Sequence, residues 1–345
     1  MRNYHALRTK KDLLSLHLHN KTLWVSVIFA FLTVIVAVIS LGMGEMNIHP
    51  IDVVKVFLGM GSEQHALIVQ QFRLPRIVIA ILVGASLAAA GSIMQGIVRN
   101  PLAAPDILGI SGGASVAAVA FLLWFETSSI TWLPPIAFLG ATLATLLLYV
   151  VAWKKGVTPF RLVLIGVGIK IAASAIVTVL IMFSPFMLQN KAVLWLTGSI
   201  YGVDWSDVIM ILPWSAGLIL LAGLLGRRVN IQHLGDDIAV SVGSRLQIDR
   251  FLLLIICAAL TGTAVSVGGE ISFVALLAPH IAKQIIGPSF GGVLVVSTFI
   301  GSIIMLVADL IGRVAFAPVD VPVGVFTSAV GAPFFIYLLY KNRNR

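Results

Sequence analysis

Residues 76–105 read RIVIAILVGASLAAAGSIMQGIVRNPLAAP, an apolar run long enough to cross a membrane, with a middle made mostly of Gly, Ala and Ser. Gly84, Ala88, Ser92 and Gly96 are four residues apart, so they lie on one face of a helix. Small residues let two helix backbones approach closely, and such packing drives helix association in lipid. The run therefore predicts a membrane helix that packs tightly inside a bundle. A face along which helices slide during a rearrangement would have the same pattern.

The composition of the whole chain is that of an integral membrane protein. Of its 345 residues 59% are hydrophobic and 11% are charged, and the mean hydropathy is +1.04. Soluble domains have about 45–50% apolar and about 25% charged residues. We predict an all-α integral membrane protein with about ten transmembrane helices, since the short alternating segments of a membrane β-barrel do not occur. The predicted spans lie near residues 24–41, 73–98, 107–125, 133–153, 161–184, 206–226, 251–268, 272–286, 291–312 and 323–340.

The distribution of basic residues predicts the topology. An even number of spans places both termini on one side, together with most of the 23 Lys and Arg residues. Because cytoplasmic loops carry the excess of basic residues, we predict cytoplasmic tails at 1–23 and 341–345 and a polytopic domain at 24–340. The net charge of +9 therefore reflects topology, and no nucleic acid partner is predicted. The basic residues assigned to the outer side are Lys55, Arg73, Arg76, Lys191 and Arg313.

Two spans resemble each other closely enough to predict an internal repeat. Residues 250–279, RFLLLIICAALTGTAVSVGGEISFVALLAP, begin with Arg, continue through small residues and end in a Pro-containing segment, as residues 76–105 do. The seventh span lies five spans after the second, so the two cross the membrane in opposite directions. We therefore predict an inverted repeat that relates spans 2–5 to spans 7–10, a construction common among transporters.

Several chemistries are excluded or disfavoured. The single cysteine, Cys257, lies in a predicted span and allows no internal disulfide or thiolate metal cluster. No G-x-x-x-x-G-K-[ST] phosphate loop occurs, so the chain is not its own ATPase. The seven histidines form no i, i+4 pair within a span, and we predict no catalytic residue, no metal site and no cofactor.

Six segments resemble the FecCD family, the permeases of type II ATP-binding-cassette (ABC) importers that carry ferric siderophores, haem and cobalamin. The resemblance covers nearly the whole chain after the N-terminal tail. It implies a permease in the bacterial plasma (inner) membrane, surrounded by lipid, that imports an iron(III)-siderophore. It also implies two cytoplasmic ATPase subunits, a second permease copy or a paralogue, and an extracellular or periplasmic substrate-binding protein. The segments are RLPR (73–76), VGASLAAAGSIMQGIVRNPLAAPDILGISGGAS (83–115), LGDDIAVSVG (234–243), PHIAKQIIGP (279–288), VADLIGR (307–313) and VPVGVFTSAVGAPFFIYLL (321–339).

The resemblance assigns a role to the outer arginines. In these importers, outward-facing permease arginines receive acidic side chains of the binding protein, and the matching positions are Arg73, Arg76 and Arg313. Snorkelling of each side chain to the membrane interface is the alternative. Asp309 precedes Arg313 by four residues, and this spacing also predicts an intrahelical ion pair.

The longest polar loop, residues 227–250, is predicted to be cytoplasmic. Its segment DDIAVSV (236–242) begins with two acidic residues, which suit a helix N-terminus because of the helix dipole, so we predict a short helix along the membrane surface. The resemblance implies that this is the coupling helix seated in a groove of the ATPase. Without the resemblance, a solvated connecting loop is the expectation. The positions that match the family pattern are Leu234, Gly235, Asp236, Ala239 and Gly243.

Two further sites are predicted along the pathway. The turn KKGVTPFRL matches the cytoplasmic gate of the family, so Thr158, Pro159 and Phe160 are gate candidates, with a plain turn as the alternative. Lys170 lies deep in a span, where a charge is costly and usually faces a cavity or a partner. It suits either a pathway for an anionic chelate or a lysine that snorkels toward the cytoplasm. We have no account of Glu270, which replaces a residue that the family usually has apolar or as proline.

Other functions remain as rivals. An inverted repeat with Lys170 or Asp309 would also suit a proton-coupled secondary transporter. The segment GISG (109–112) has the G-x-S-G form of intramembrane serine proteases, with His280 in another span. A dyad would need Ser111 and His280 within hydrogen-bond reach, but Ser111 stands at the cytoplasmic start of its span. The protease is therefore disfavoured.

Overall fold

The structure is a computed structural model that describes residues 4–8, 15–44, 46–125, 130–154 and 156–341. Two short strands, β1 (Tyr4–Arg8) and β2 (Ser15–His19), pair antiparallel, and a π-helical segment, Leu67–Arg73, runs directly into α4. A 3₁₀ turn, Ile130–Trp132, precedes α6. In chain order the helices are α1 (Asn20–Gly42), α2 (Pro50–Phe57), α3 (Glu63–Ala66), α4 (Leu74–Val98), α5 (Ile110–Trp124), α6 (Leu133–Ala152), α7 (Pro159–Met182), α8 (Phe186–Leu196), α9 (Trp205–Leu224), α10 (Gly226–Gln232), α11 (Asp236–Ser241), α12 (Leu246–Gly268), α13 (Val274–Ile286), α14 (Phe290–Val314) and α15 (Val323–Lys341).

The predicted spans correspond to ten apolar helices. Within the described residues, eight helices are long and apolar enough to cross a membrane, and α5 and α13 are shorter apolar helices. The all-α membrane fold is thereby confirmed. The predicted tails at 1–23 and 341–345 lie partly outside the described residues, and α1 already begins at Asn20.

The two short helices follow irregular segments that are packed inside the protein. Ala103, Ala104 and Leu108 are buried in the loop before α5, and Ile271 is buried in the loop before α13. Irregular backbone is tolerated at membrane depth only where protein or a water-filled cavity surrounds it. The two loops therefore replace the first turns of two helices that occupy matching positions in the predicted repeat.

The small-residue face of α4 packs closely against α14. A Cβ added to Gly84 would lie 2.3 Å from the carbonyl oxygen of Gly301, so only glycine allows this approach of two backbones. About two turns further along α4, the hydroxyls of Ser92 and Ser297 are 2.8 Å apart and share a hydrogen bond. The small residues quoted at the outset therefore form a tight helix–helix contact, as van der Waals packing in lipid requires.

The same neighbour pattern occurs in both halves. Helix α4 packs on α14 and α12 packs on α6, while α5 packs on α6 and α13 packs on α14. Gly262, in the small-residue face of α12, lies so close to Phe138 of α6 that an added Cβ would be 3.0 Å from that ring. Corresponding pairs of helices thus meet through corresponding faces, which is the arrangement that an inverted repeat predicts.

Four helices leave a large part of their surface uncovered by the described residues. Helices α1, α7, α9 and α15 bury only a small share of their side chains, and their outward residues include Phe31, Ile171, Ile209 and Ile336. Apolar faces of this kind contact lipid or another subunit in a membrane protein.

Candidate functional site: an outer arginine cluster and a cytoplasmic loop

Arg76 is the centre of an ion-pair network at the predicted outer end. Its Nε donates to Asp309 Oδ1 at 2.6 Å, and its Nη2 donates to Asp320 Oδ1 at 2.9 Å. Asp309 is completely buried, and its Oδ2 lies 3.3 Å from Arg313 Nε, which confirms the predicted intrahelical pair. Charge-assisted bonds of this kind are stronger than neutral ones, and burial reduces their screening by salt.

Arg73 and Arg313 attach the last turn of α1 and the residues that follow it to the bundle. Arg73 Nη1 donates to the carbonyl oxygen of Leu41 at 2.7 Å, and its Nη2 donates to that of Met46. Arg313 Nη2 donates to Ser40 Oγ at 2.6 Å, and its Nη1 donates to the carbonyl oxygen of Met43 at 3.0 Å. The two guanidinium groups thus hold one segment of backbone from two helices.

These arginines line a cavity of about 1070 Å³ on the predicted outer face. Asp204 caps α9 at its rim and accepts hydrogen bonds from the main chain of Ser206 and Asp207. A hydrogen bond from the Ser206 hydroxyl lowers the pKa of Asp204 below its ordinary value, so this carboxyl stays ionised. The charged residues that line the cavity are Arg73, Arg76, Arg313, Asp204, Asp207 and Asp320.

The predicted cytoplasmic loop folds into two short helices, α10 and α11, followed by the first turn of α12. Gly235 precedes α11 with a φ of +107°, a conformation that favours glycine. Asp236 opens the helix, and it accepts hydrogen bonds from Arg99 Nη2 at 2.9 Å and Arg250 Nη2 at 3.0 Å. The predicted short helix is therefore present. Its acidic end is bound to basic residues of the bundle.

The helix α11 turns apolar side chains away from the bundle. Leu234, Ile238, Val240 and Val242 are exposed, while Ala239 is fully buried. The chain leaves the helix at Gly243, which has a φ of +82° and has open space around it. Exposed apolar side chains grouped on one short segment are typical of surfaces that interact with another protein.

The predicted gate turn is held by hydrogen bonds on the same face. Thr158 Oγ1 accepts from the main chain of Arg161 at 3.5 Å and caps α7, and Pro159 occupies the first helical position. Arg161 Nη1 donates to the carbonyl oxygen of Lys154 at 2.8 Å. Phe160 is 76% exposed, so its ring is free to contact another surface.

Lys170 lies at the middle of α7, on the side that faces α5. It is partly buried, and its main-chain nitrogen would be 2.9 Å from a Cβ added to Gly109. On another element, Ser115 Oγ donates to Glu270 Oε2 at 2.8 Å. The role of Lys170 in the pathway stays a prediction.

Comparison with known proteins identifies the family. A family model described as the FecCD transport family matches residues 32–341. The chain belongs to this family. The "Probable siderophore transport system permease protein YfhA" of Bacillus subtilis is 49% identical over 91% of this chain and 93% of its own length. The achromobactin transport system permease protein CbrC of Dickeya dadantii is 45% identical over 91% of the chain and 90% of its own.

A solved structure supports the same assignment. The inward-facing conformation of a metal-chelate type ABC transporter superposes with a TM-score of 0.81 at 27% identity. The match covers 92% of this chain and 99% of that one. This FecCD protein is therefore a multi-pass permease of a bacterial ABC importer in the plasma membrane, a transport component and not an enzyme. FecCD permeases work with an ATPase and a substrate-binding partner.

These findings remove the two rival functions. The secondary transporter is wrong because the family consists of ABC permeases. The protease is wrong because the relatives are transport components, and His280 is bonded to Gln284, whose side-chain nitrogen lies 2.7 Å from the His280 ring. Among the described residues no group of three or more His, Cys, Asp or Glu side chains could hold a metal ion.

Three residues of these regions were not found from the sequence. Asp320, Arg250 and Gln247 bind Arg76, Asp236 and Val157 respectively, and they come from other elements. An isolated acid after Arg313 on the outer side was the available signal for Asp320. Arg250 and Gln247 lie at the start of a span, where a polar residue is ordinary, and carried no signal.

Proposed function

We propose that this FecCD permease imports iron(III) bound to a siderophore. The observation that carries the proposal is the similarity, over nearly the full length of the chain and at 49% and 45% identity, to permeases whose names specify siderophore and achromobactin transport. A third relative, the iron(3+)-hydroxamate import system permease protein FhuG of Bacillus subtilis, is 40% identical over 93% of this chain. Haem and cobalamin are the alternative substrates, because FecCD-type importers carry these as well.

The assembly that we propose has two permeases, two ATPase subunits and one substrate-binding protein. The second permease is another copy of this chain or a paralogue, seated on the apolar faces of α7 and α15. The distribution of basic residues supports a cytoplasmic location for both termini and for α11. The ATPase receives α11, and the turn Thr158–Phe160 serves as the cytoplasmic gate. Lys170 lines the pathway.

The binding protein is proposed to dock over Arg73, Arg76 and Arg313. Within the described residues three guanidinium groups lie against the carboxylates of Asp309 and Asp320, a local excess of one positive charge that supports an acidic partner, while Asp204 and Asp207 lie elsewhere in the cavity wall. Each arginine already donates hydrogen bonds inside the chain, so its side chain is held in place before the binding protein docks.

The substrate is tested by uptake of radioactive iron in cells with and without this chain. Iron is presented as ferric hydroxamate, catecholate, carboxylate-type and citrate chelates, and haem and cobalamin are measured in parallel. We expect deletion of the chain to abolish uptake of one iron-chelate class and leave haem and cobalamin unchanged. Loss of haem or cobalamin uptake alone would contradict the siderophore assignment.

Docking is tested in the same cells with two variants of Arg73, one that removes the positive charge and one that keeps it. Arg73→Gln removes the positive charge, whereas Arg73→Lys keeps it, and both lose the fork that reaches the two carbonyl oxygens. We expect Gln to lower uptake several-fold at equal membrane level and Lys to retain most of it. Lys55→Gln, which removes an exposed outer charge elsewhere, is the control. Equal losses for Gln and Lys would mean that Arg73 acts through its internal bonds and not through docking.

A further inference from the structure

A single buried side chain joins α11 to the turn before α7. Arg250, in the first turns of α12, is 1% exposed. Its Nη2 donates to Asp236 Oδ1 at 3.0 Å, at the start of α11, and its Nη1 donates to the carbonyl oxygen of Val157. Two segments that are far apart in the sequence are therefore bonded to the two arms of one guanidinium group.

Gln247 adds a second connection between α12 and the same turn. Its Oε1 accepts from the main-chain nitrogen of Val157 at 2.8 Å, and its Nε2 donates to the carbonyl oxygen of Val157 at 3.5 Å. The contact is close on both sides: Gly156 has a φ of +111°, and an added Cβ would lie 2.7 Å from Gln247 Nε2. Val157 thus has both of its main-chain polar groups bonded to α12.

The turn is also bonded tightly to α7. Arg161 Nη1 donates to the carbonyl oxygen of Gly156 at 3.2 Å, and Thr158 caps the helix. A displacement of residues 156–158 therefore moves the first turn of α7 with it. The hydrogen-bonded path from Asp236 to α7 is continuous within the described residues, and its central member is shielded from water.

We propose that Arg250 is a positioning residue that transmits the displacement of α11 to the turn Gly156–Thr158, with Gln247 as a second connection. This inference rests on the proposed function, which assigns α11 to the ATPase and the turn to the gate. A planar guanidinium suits the role because its donors keep a fixed separation, and the burial of Arg250 shields its bond to Val157 from water. A lysine would keep the charge but present a single, freely rotating ammonium.

Arg250 would have a different effect if it only stabilised the loop. In that case its loss would lower the amount of folded protein, and the protein that remained would respond to nucleotide in the normal way. If it transmits motion, folded protein without it should respond at α11 and fail to respond at the turn. The two regions therefore need separate reporters, each placed in the whole importer complex.

The experiment uses the whole importer, with its ATPase, in lipid nanodiscs. Reporter cysteines replace Val242, which follows α11 and is 59% exposed, or Phe160 in the turn. The native Cys257 is fully buried and stays in place. The measured quantity is the rate of labelling by a water-soluble thiol reagent, with and without ATP and vanadate, against a complex that lacks the reporter.

With Arg250 intact, nucleotide is expected to change the labelling rate at both reporters. In Arg250→Met we expect the nucleotide-dependent change in labelling at Val242→Cys to persist and the change at Phe160→Cys to fall several-fold. In Arg250→Lys the change at Phe160→Cys should lie between those of the unchanged protein and of Arg250→Met. Arg228→Met is the matched control, because Arg228 pairs with Asp249 at 2.6 Å in the same loop and lies outside the path to Val157. It should leave both responses as they are.

Three outcomes would overturn the proposal. A normal response at Phe160→Cys in Arg250→Met would show that Arg250 only stabilises the loop. If nucleotide does not change the labelling of Val242→Cys with Arg250 intact, the coupling role of α11 is refuted. If it does not change the labelling of Phe160→Cys, the gate is refuted. Either result also refutes the role of Arg250 between them. If Arg250→Met does not accumulate, Gln247→Ala is used; it should weaken the response at Phe160→Cys, and an unchanged response would count against the proposal.

Discussion

The two ends of this permease place their charges in opposite ways. At the outer end, Arg76 and Asp309 are buried in a network, and the surface around them is a concave cavity with charged walls. At the cytoplasmic end, the charged Asp236 is bonded inward, and apolar residues such as Ile238 face out. The difference fits the two partner surfaces that we propose. The outer end would offer charge and shape to the binding protein, and the inner end would offer apolar contact to the ATPase.

The largest expected effect concerns the buried carboxylate of the outer network. Asp309→Asn keeps the shape of the side chain but removes the charge shared by Arg76 and Arg313. Arg76 keeps Asp320, whereas Arg313 loses its ion pair and Arg76 loses one of two buried carboxylates. We expect the free energy of unfolding to fall by about 3–5 kcal/mol. The measurement is the thermal unfolding midpoint of the detergent-solubilised protein, together with its level in the membrane.

Asp52→Asn is the control for this variant. Asp52 pairs with Lys55 at 2.9 Å on an exposed helix, where solvent screens the attraction, so no measurable change in unfolding is expected. If the two variants unfolded at the same temperature, the outer network would be no more structural than a surface ion pair, and the contrast between the two ends would fail.

A smaller effect, of a different kind, is expected at the inner end. Ile238→Asp changes an exposed side chain, so the stability of the permease alone should stay within about 0.5 kcal/mol. Binding of the ATPase should weaken at least about tenfold, which is about 1.4 kcal/mol, because a charge would be buried against the partner. Co-purification of the ATPase with the permease measures this loss.

Ile51→Asp provides the comparison, since Ile51 is similarly exposed on α2 at the outer end. It should leave ATPase binding unchanged. Equal co-purification with Ile238→Asp and Ile51→Asp would show that the exposed apolar residues of α11 do not meet the ATPase.

The smallest effect is expected for the partly exposed ion pair of the inner end. The side chains of Arg99 and Asp236 are each about one-third exposed, at 33% and 32%, and Asp236 keeps its bond to Arg250 when Arg99 is changed. Arg99→Gln should therefore lower the free energy of unfolding by about 0–1 kcal/mol in a thermal unfolding experiment. A loss as large as that of Asp309→Asn would mean that the inner charges are as structural as the outer ones.

Much of the fold could be predicted from the sequence because membrane helices are specified locally. A run of apolar residues suffices to predict a span. Small residues four apart predict a close contact between helices, as the contacts of Gly84 and Ser92 of α4 with α14 show. The boundaries were less accurate where a span begins with polar residues. Helix α12 begins at Leu246, before the predicted residue 251, because Asp249 and Arg250 are paired inside the protein and no longer mark the membrane surface.

The sites were predicted less completely than the fold. The positions of Arg73, Arg76 and Arg313 followed from motifs, and their joint location at one cavity agrees with a shared role. Their bonding partners could not be foreseen, because Asp320 is separated from Arg76 by 244 residues. Hydrogen bonds from Arg73 and Arg313 to main-chain carbonyls carry no sequence signal, since every residue has a carbonyl.

By itself, the sequence determined the membrane class, the all-helical fold, the tight faces, the missing phosphate loop and the family, because each of these depends on residue type and spacing along one segment. Only the tertiary structure decided which groups meet: Asp309 with Arg76, and Arg250 between Asp236 and Val157. The physical reason is that a buried charge must be compensated by whatever lies within a few ångströms, and packing of distant helices chooses that neighbour.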